Sequence, residues 1–209
     1  MNLEKIKETM EHWHVDSIGG RRYFSILIPL IEKDGQLHIL YEQRSRKMKA
    51  QPGDICFPGG RMEKGETPLA CALRETYEEV GIKAEDIQIL GQFDTMYEIA
   101  NITLHTFVGV IDVRVLEHVN LNEDEVENIF TVPYDFFLKK SPLVYESQIV
   151  QKVDDFPYEE TGIRPDYKWR TGKNTIPIYK YNQYVIWGLT GRITKWFVEK
   201  MEEREKKGV

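Results

Sequence analysis

The chain has 209 residues, 41% of them hydrophobic, enough to bury a sizeable core, which suits one domain of α/β or α+β type and leaves two small domains open. Its net charge of -6 supplies no global basic field, which argues against nucleic acid as a partner. Cys56 and Cys71 make neither a disulfide framework nor a CxxC metal motif, and the longest apolar run, Phe24 to Ile31, is far too short to span a bilayer. With a charged N-terminus, Met1 to Asp16, that lacks a signal-peptide core, these features predict a cytoplasmic protein with no membrane partner.

Residues 3–14 read as a short amphipathic helix. Residues 23–32 read as a buried strand, Asp34-Gly35 as a hairpin turn, and 36–43 as the returning strand. Residues 44–56 form a loop rich in Arg and Lys. The next helix is marked at both ends. Thr67 suits the N-cap, Pro68 the first helical position, and Gly81 the left-handed C-terminal position. Between them Leu69, Ala72, Leu73, Thr76 and Val80 make a mostly apolar stripe at helical spacing. Residues 86–97 and 102–113 read as strands, with Ala100-Asn101 at the turn. Residues 125–132 read as strand or helix, and the polar stretch 154–175 as a long excursion or lid. Residues 176–187 look extended, and a closing amphipathic helix runs from near Trp187, itself expected in the core, toward Lys206.

The chemistry sits on the marked helix. Glu75, Glu78 and Glu79 are three and four apart, so they share one face beside the apolar stripe. Crowded carboxylates repel one another unless something positive sits among them, and a hard divalent cation suits oxygen ligands. Arg74 can pair with Glu78 at i, i+4.

Residues 60–82, GGRMEKGETPLACALRETYEEVGI together with Gly59, resemble the Nudix box. The family spacing falls on Gly60, Glu66, Arg74, Glu75, Glu78, Glu79 and Gly81, with Thr76 standing at a position that is apolar in the family. The resemblance implies an α+β Nudix fold in which a mixed β-sheet lies between helices, α/β/α. It also implies one domain over residues 1–209, with a core of about 22–200 after the short N-terminal helix. It further implies Mg²⁺ or Mn²⁺ held by Glu75, Glu78, Glu79 and the carbonyl of Gly59, with Arg74, Glu75, Glu78 and Glu79 as the catalytic group and Glu66 as a brace for the loop. The base is a metal-held water or one of these glutamates.

Upstream, RSRKMKAQPGDICFPGG resembles the coenzyme A pyrophosphatase branch, with Gln51 where that branch has His. Ile186 to Thr190 resembles the start of the branch's final helix. The implied substrate is a small nucleoside diphosphate derivative, coenzyme A or an acyl-CoA, with Arg44, Ser45, Gly60 and Arg61 binding it. ADP-ribose or a dinucleotide is the rival substrate, and a nucleotide sensor without catalysis is the rival function. Arg46, Lys47 and Lys49 read as solvated loop charges, and Cys56 and Cys71 as packed side chains. Glu123, Asp124, Glu125 and Glu127 read as a solvated cluster, although such loops in the family sometimes supply a further ligand or base, here Glu125.

Overall fold

The computed structural model describes residues 1–15, 17–99 and 101–208. Its centre is an eight-stranded mixed sheet. Strand β1 (Arg22–Lys33) is buried without alternation from Ser25 to Ile31, because both faces of the sheet are covered. It turns through Asp34 and Gly35, at φ 53° and 70°, the two positive values that a tight hairpin requires. Strand β2 (Gln36–Arg44) returns antiparallel. On its other side β1 pairs in parallel with β7 (Ile102–Ile111). Strands β3 (Ile55–Cys56) and β8 (Val126–Pro133) pair with β2, and β4 (Gly59–Arg61) pairs with β1. Strands β5 (Ile87–Gln92) and β6 (Met96–Glu98) pair with β7.

Helix α2 (Pro68–Val80) covers one face. Its Ala72 and Val80 join Leu27, Ile31, Leu40, Phe107 and Ile111 in one core. Helix α5 (Gly188–Lys207) covers the other, where Ile193, Phe197 and Val198 join Ile26, Ile28, Ile39 and Tyr41. Within that second core Tyr41 Oη and Thr194 Oγ1 lie 2.9 Å apart in a hydrogen bond. The period-2 alternation of β1 and β2 therefore feeds two cores, and the arrangement is the expected α/β/α layering. Among the described residues no helix is long and apolar enough to cross a membrane.

Several expectations need correction. Helix α1 (Leu3–Glu11) stops before Trp13; none of its residues is buried, so no packing carries it on to residue 14. The strand expected over 86–97 breaks into a 3-10 turn at Ala84–Asp86, then β5 and β6. Thr106 causes the bend between them, accepting from the amide of Phe93 and donating its hydroxyl to the carbonyl of Asp94 at 2.7 Å. Residues 126–133 are strand, and β7 ends at Ile111 rather than at 113. Ala100, expected at a turn, lies outside the described residues; Asn101 has φ 54°.

The excursion 154–175 holds only helix α4 (Tyr158–Thr161) before β10 (Thr171–Tyr181) begins. Strand β10 pairs with β9 (Leu143–Val150) and β11 (Tyr184–Ile186) in a separate three-stranded sheet. Helix α3 (Tyr134–Lys139) precedes it. Trp187 is 45% exposed rather than in the core, standing at the N-cap position just before α5.

Candidate active site

The ends of α2 form as their local chemistry dictates. The Thr67 hydroxyl accepts from the amide of Ala70 at 3.2 Å, and Gly81 closes the helix at φ 75°. Thr76 is fully buried and donates its hydroxyl to the Ala72 carbonyl at 2.6 Å, so it sits at an apolar position with its polar atom satisfied. Thus fixed, the helix presents its glutamates to the glycine strand β4.

Arg74 is the hub of the outer half of the site. Its guanidinium donates to Glu66 Oε1 and Oε2 at 2.9 and 3.0 Å, to Glu75 Oε1 at 2.8 Å, and to Glu78 Oε2 at 2.8 Å. It also donates to the Arg61 carbonyl at 3.2 Å. The Glu66 carboxylate accepts from the amide of Glu63 as well, so it braces the loop against the helix. The Arg74 hydrogen bond pulls the Glu66 acid down to about 2, whereas burial lifts that of Glu75 despite Arg74.

Two glycines let the strand approach. A Cβ on Gly59 would meet the Ser25 carbonyl at 2.3 Å, and Gly59 has φ 150°. A Cβ on Gly60 would meet Glu75 Cδ at 2.3 Å, so the Glu75 carboxylate lies against bare backbone. The Gly59 amide donates to Glu79 Oε2 at 2.8 Å. Glu79 is 5% exposed, and burial, then the charge of Glu42, raises its acid.

Glu42 is the residue that the sequence reading missed. It lies on β2, two positions after Leu40 and thus on the α2 side of the sheet, and is 1% exposed. Burial pushes its acid up to about 7, with Glu125 and Glu75 adding to the rise and Cys56 and Arg44 opposing it. The Cys56 thiol donates to Glu42 Oε1 at 3.0 Å, and burial keeps that thiol protonated. The period-2 spacing from Leu40 was the available signal. Cys71 is fully buried against the Gly60 carbonyl, its thiol pushed up to about 12 by burial.

The basic loop after β2 is fastened to the acidic loop before β8. The Ser45 hydroxyl donates to the Glu123 carbonyl at 3.0 Å, and its amide to the Glu125 carbonyl at 2.7 Å. On the exposed rim Arg46 pairs with Glu127 and Lys47 with Asp124. Arg44 stands inside this fastening, its charge acting on Glu42 and Cys56. Glu125 turns its charge toward Glu42, Glu75 and Glu79.

The structure thus gathers Gly59, Gly60, Glu66, Arg74, Glu75, Glu78 and Glu79 at one place, with Arg44 and Ser45 on the adjoining loop. Among the described residues no three Asp, Glu, His or Cys side chains come together as a group that could hold a metal ion. The donors are nevertheless all carboxylates and carbonyls, and the buried Glu42 and Glu79 and the half-buried Glu75 are acids whose charges oppose one another. That combination fits a hard divalent cation.

Residues 21–148 match the NUDIX domain family. The chain is 34% identical over 192 residues to Nudix hydrolase 3 of Caenorhabditis elegans, spanning 91% of this chain and 78% of that protein. It is 38% identical over 135 residues to the peroxisomal coenzyme A diphosphatase NUDT7 of Mus musculus, spanning 64% of this chain but only 56% of that relative. A solved MutT/nudix family protein from Enterococcus faecalis has a TM-score of 0.51 at 14% identity, covering 99% of this chain and 70% of that one, a likeness of fold alone. The matched span runs from β1 through most of β9 and includes the whole carboxylate cluster, so the chain belongs to the Nudix hydrolase family.

Proposed function

We propose that the protein hydrolyses the diphosphate of coenzyme A or an acyl-CoA to 3′,5′-ADP and (acyl-)4′-phosphopantetheine, with Mg²⁺ or Mn²⁺. The observation that carries this reading is the course of residues 44–60. One segment runs from Arg44, beside the buried acids, to Gly59, whose amide holds Glu79. The same segment resembles the pattern of the coenzyme A pyrophosphatase branch apart from Gln51, and the similarity to the mouse diphosphatase agrees with it. A cavity of about 700 Å³ on the α5 side, lined by Phe93, Met96, Arg192 and Trp196, is of a size for part of a small molecule, although no residue of α2 reaches it.

In this reading Glu75, Glu78, Glu79 and the Gly59 carbonyl hold the cation. When bound, the cation neutralises charge on the diphosphate oxygens and lowers the pKa of a water. Arg74 keeps Glu75 and Glu78 in place, and the Gly59 amide does the same for Glu79. Arg44 and Arg61 take phosphate oxygens through charge-assisted hydrogen bonds. Ser45 secures the loop that carries Arg44, and Gly60 lets the backbone approach the substrate. The proton acceptor is one of these glutamates or the cation-held water. The whole chain acts as one unit. Its free cysteines suit a reducing compartment such as the cytoplasm.

The test is a product-resolved panel with Mg²⁺ or Mn²⁺: coenzyme A, dephospho-coenzyme A, ADP-ribose and NADH. Coenzyme A is expected to turn over fastest. Faster ADP-ribose or NADH turnover overturns the substrate, and binding without any turnover overturns catalysis.

A further inference from the structure

Glu42 is a carboxylate in the middle of a buried sheet with one of its two oxygens hydrogen-bonded. Oε1 accepts from the Cys56 thiol at 3.0 Å. Oε2 is buried with no hydrogen-bond partner among the described residues. Arg44, whose charge acts on it, does not discharge it by a hydrogen bond; among the described residues its own buried Nε has no partner either. The other charges that act on Glu42 are Glu125 and Glu75, and Glu42 is itself the foremost charge acting on Glu79. Geometry agrees: Glu42 pairs across the strands with Cys56, three residues before the Gly59 whose amide holds Glu79, and it shares the α2-side face with Leu40, so the free oxygen lies on the side of the sheet that carries the helix glutamates. A buried carboxylate oxygen left without a partner is unfavourable unless something positive arrives to meet it.

We propose that Glu42 is a further ligand of the divalent cation, offering Oε2 from strand β2 to the site that α2 supplies with glutamates. Cys56 is its supporting donor: the thiol fixes Oε1 and so sets the direction of Oε2, as hydrogen bonds to ligating carboxylates commonly do. A hard cation takes six or more oxygens, so a strand-borne carboxylate has a place beside those of the helix. The inference rests on the reading of Glu75 and Glu79 as cation ligands.

The test titrates Mn²⁺ into metal-free protein, follows free Mn²⁺ by electron paramagnetic resonance, and records the metal-free melting temperature. Wild type, Glu42→Gln, Cys56→Ala and Glu79→Gln are compared. Glu42→Gln is expected to melt no lower than wild type without metal, while its Mn²⁺ dissociation constant rises about 10- to 100-fold. Cys56→Ala is expected to weaken Mn²⁺ in the same direction but less. A purely structural Glu42 would instead lower the metal-free melting temperature and leave Mn²⁺ affinity alone. Wild-type Mn²⁺ affinity in Glu42→Gln, next to a Glu79→Gln that has lost binding, overturns this inference and leaves the site reading standing. Wild-type affinity in both overturns the two together. If Glu42→Gln does not fold, Glu42→Asp takes its place, judged by its Mn²⁺ affinity alone with the same expected loss, since it keeps the charge and withdraws the oxygen by one methylene.

Discussion

Replacing Arg74 with alanine removes a guanidinium that touches three glutamates of the site. The half-exposed Glu78 contact behaves as a surface pair and is worth about 0.5 kcal/mol. Glu66 and Glu75 differ, with side chains only 13% and 16% exposed. Losing their partner leaves two largely buried carboxylates uncompensated, and breaking buried pairs of this kind costs about 3–5 kcal/mol. Since Arg74 is itself 26% exposed, the lower end applies, and Arg74→Ala is expected to lose about 3 kcal/mol. For a chain of this length that lowers the melting temperature by about 6–12 °C. Arg74→Lys keeps the charge but is a point donor without the planar fork, so it recovers less than half. The assay is urea unfolding of the metal-free protein, comparing midpoints at an unchanged slope. A loss below about 1 kcal/mol in Arg74→Ala, or full recovery by lysine, would refute the idea that the forked network holds the glutamates.

Gly60→Ala pushes on the carboxylate end of Glu75, so it should cut turnover about 100-fold while the fold survives. Gly59→Ala drives a methyl into the Ser25 backbone at a φ that suits glycine, and should cost more than about 4 kcal/mol or prevent folding; circular dichroism melts separate the two variants, and equal stability would contradict the packing. Glu79→Gln should abolish metal-dependent turnover in a folded protein, and a near-normal rate refutes its role. Stability of the metal-free protein should fall as pH rises. In the unfolded chain Glu42 gives up its proton near the ordinary value of about 4.3, whereas in the fold it keeps it until about 7. The native state binds more protons in that window, so unfolding becomes easier across it. Melting at pH 5.0 and 7.5 checks this, and a slope that Glu42→Gln leaves unchanged would place the titration on another group.

What was legible in the sequence was local. Thr67, Pro68 and Gly81 delimit α2 through their own side chains and backbone preferences, and Asp34-Gly35 fixes the first hairpin in the same way. The glutamate spacing depends on helical geometry alone, so the cluster could be read before the structure. Pairings between distant segments were not legible. Nothing in 102–111 announces that it runs parallel to β1, and β9 meets β10 only across a 20-residue separation, with most of its side chains exposed. Glu42 escaped for the same reason: a glutamate near the end of a strand reads as solvated until β8 is known to pair along that strand and α2 to cover it.

The site divides its charge between two kinds of donor. Glu66, Glu75 and Glu78 receive a guanidinium, which cancels charge. Glu79 and Glu42 receive a backbone amide and a thiol, which supply a hydrogen bond but no countercharge. The deeper pair is therefore where a cation gains most and where the metal-free fold suffers most. Substitutions in the two halves should then move stability in opposite directions. Loss of Arg74 strands carboxylates and weakens the fold, whereas an amide at Glu42 or Glu79 relieves a buried repulsion while removing an oxygen that we propose as a cation ligand. A functional site that lowers the stability of its own scaffold is the expected outcome when selection acts on turnover above a stability threshold.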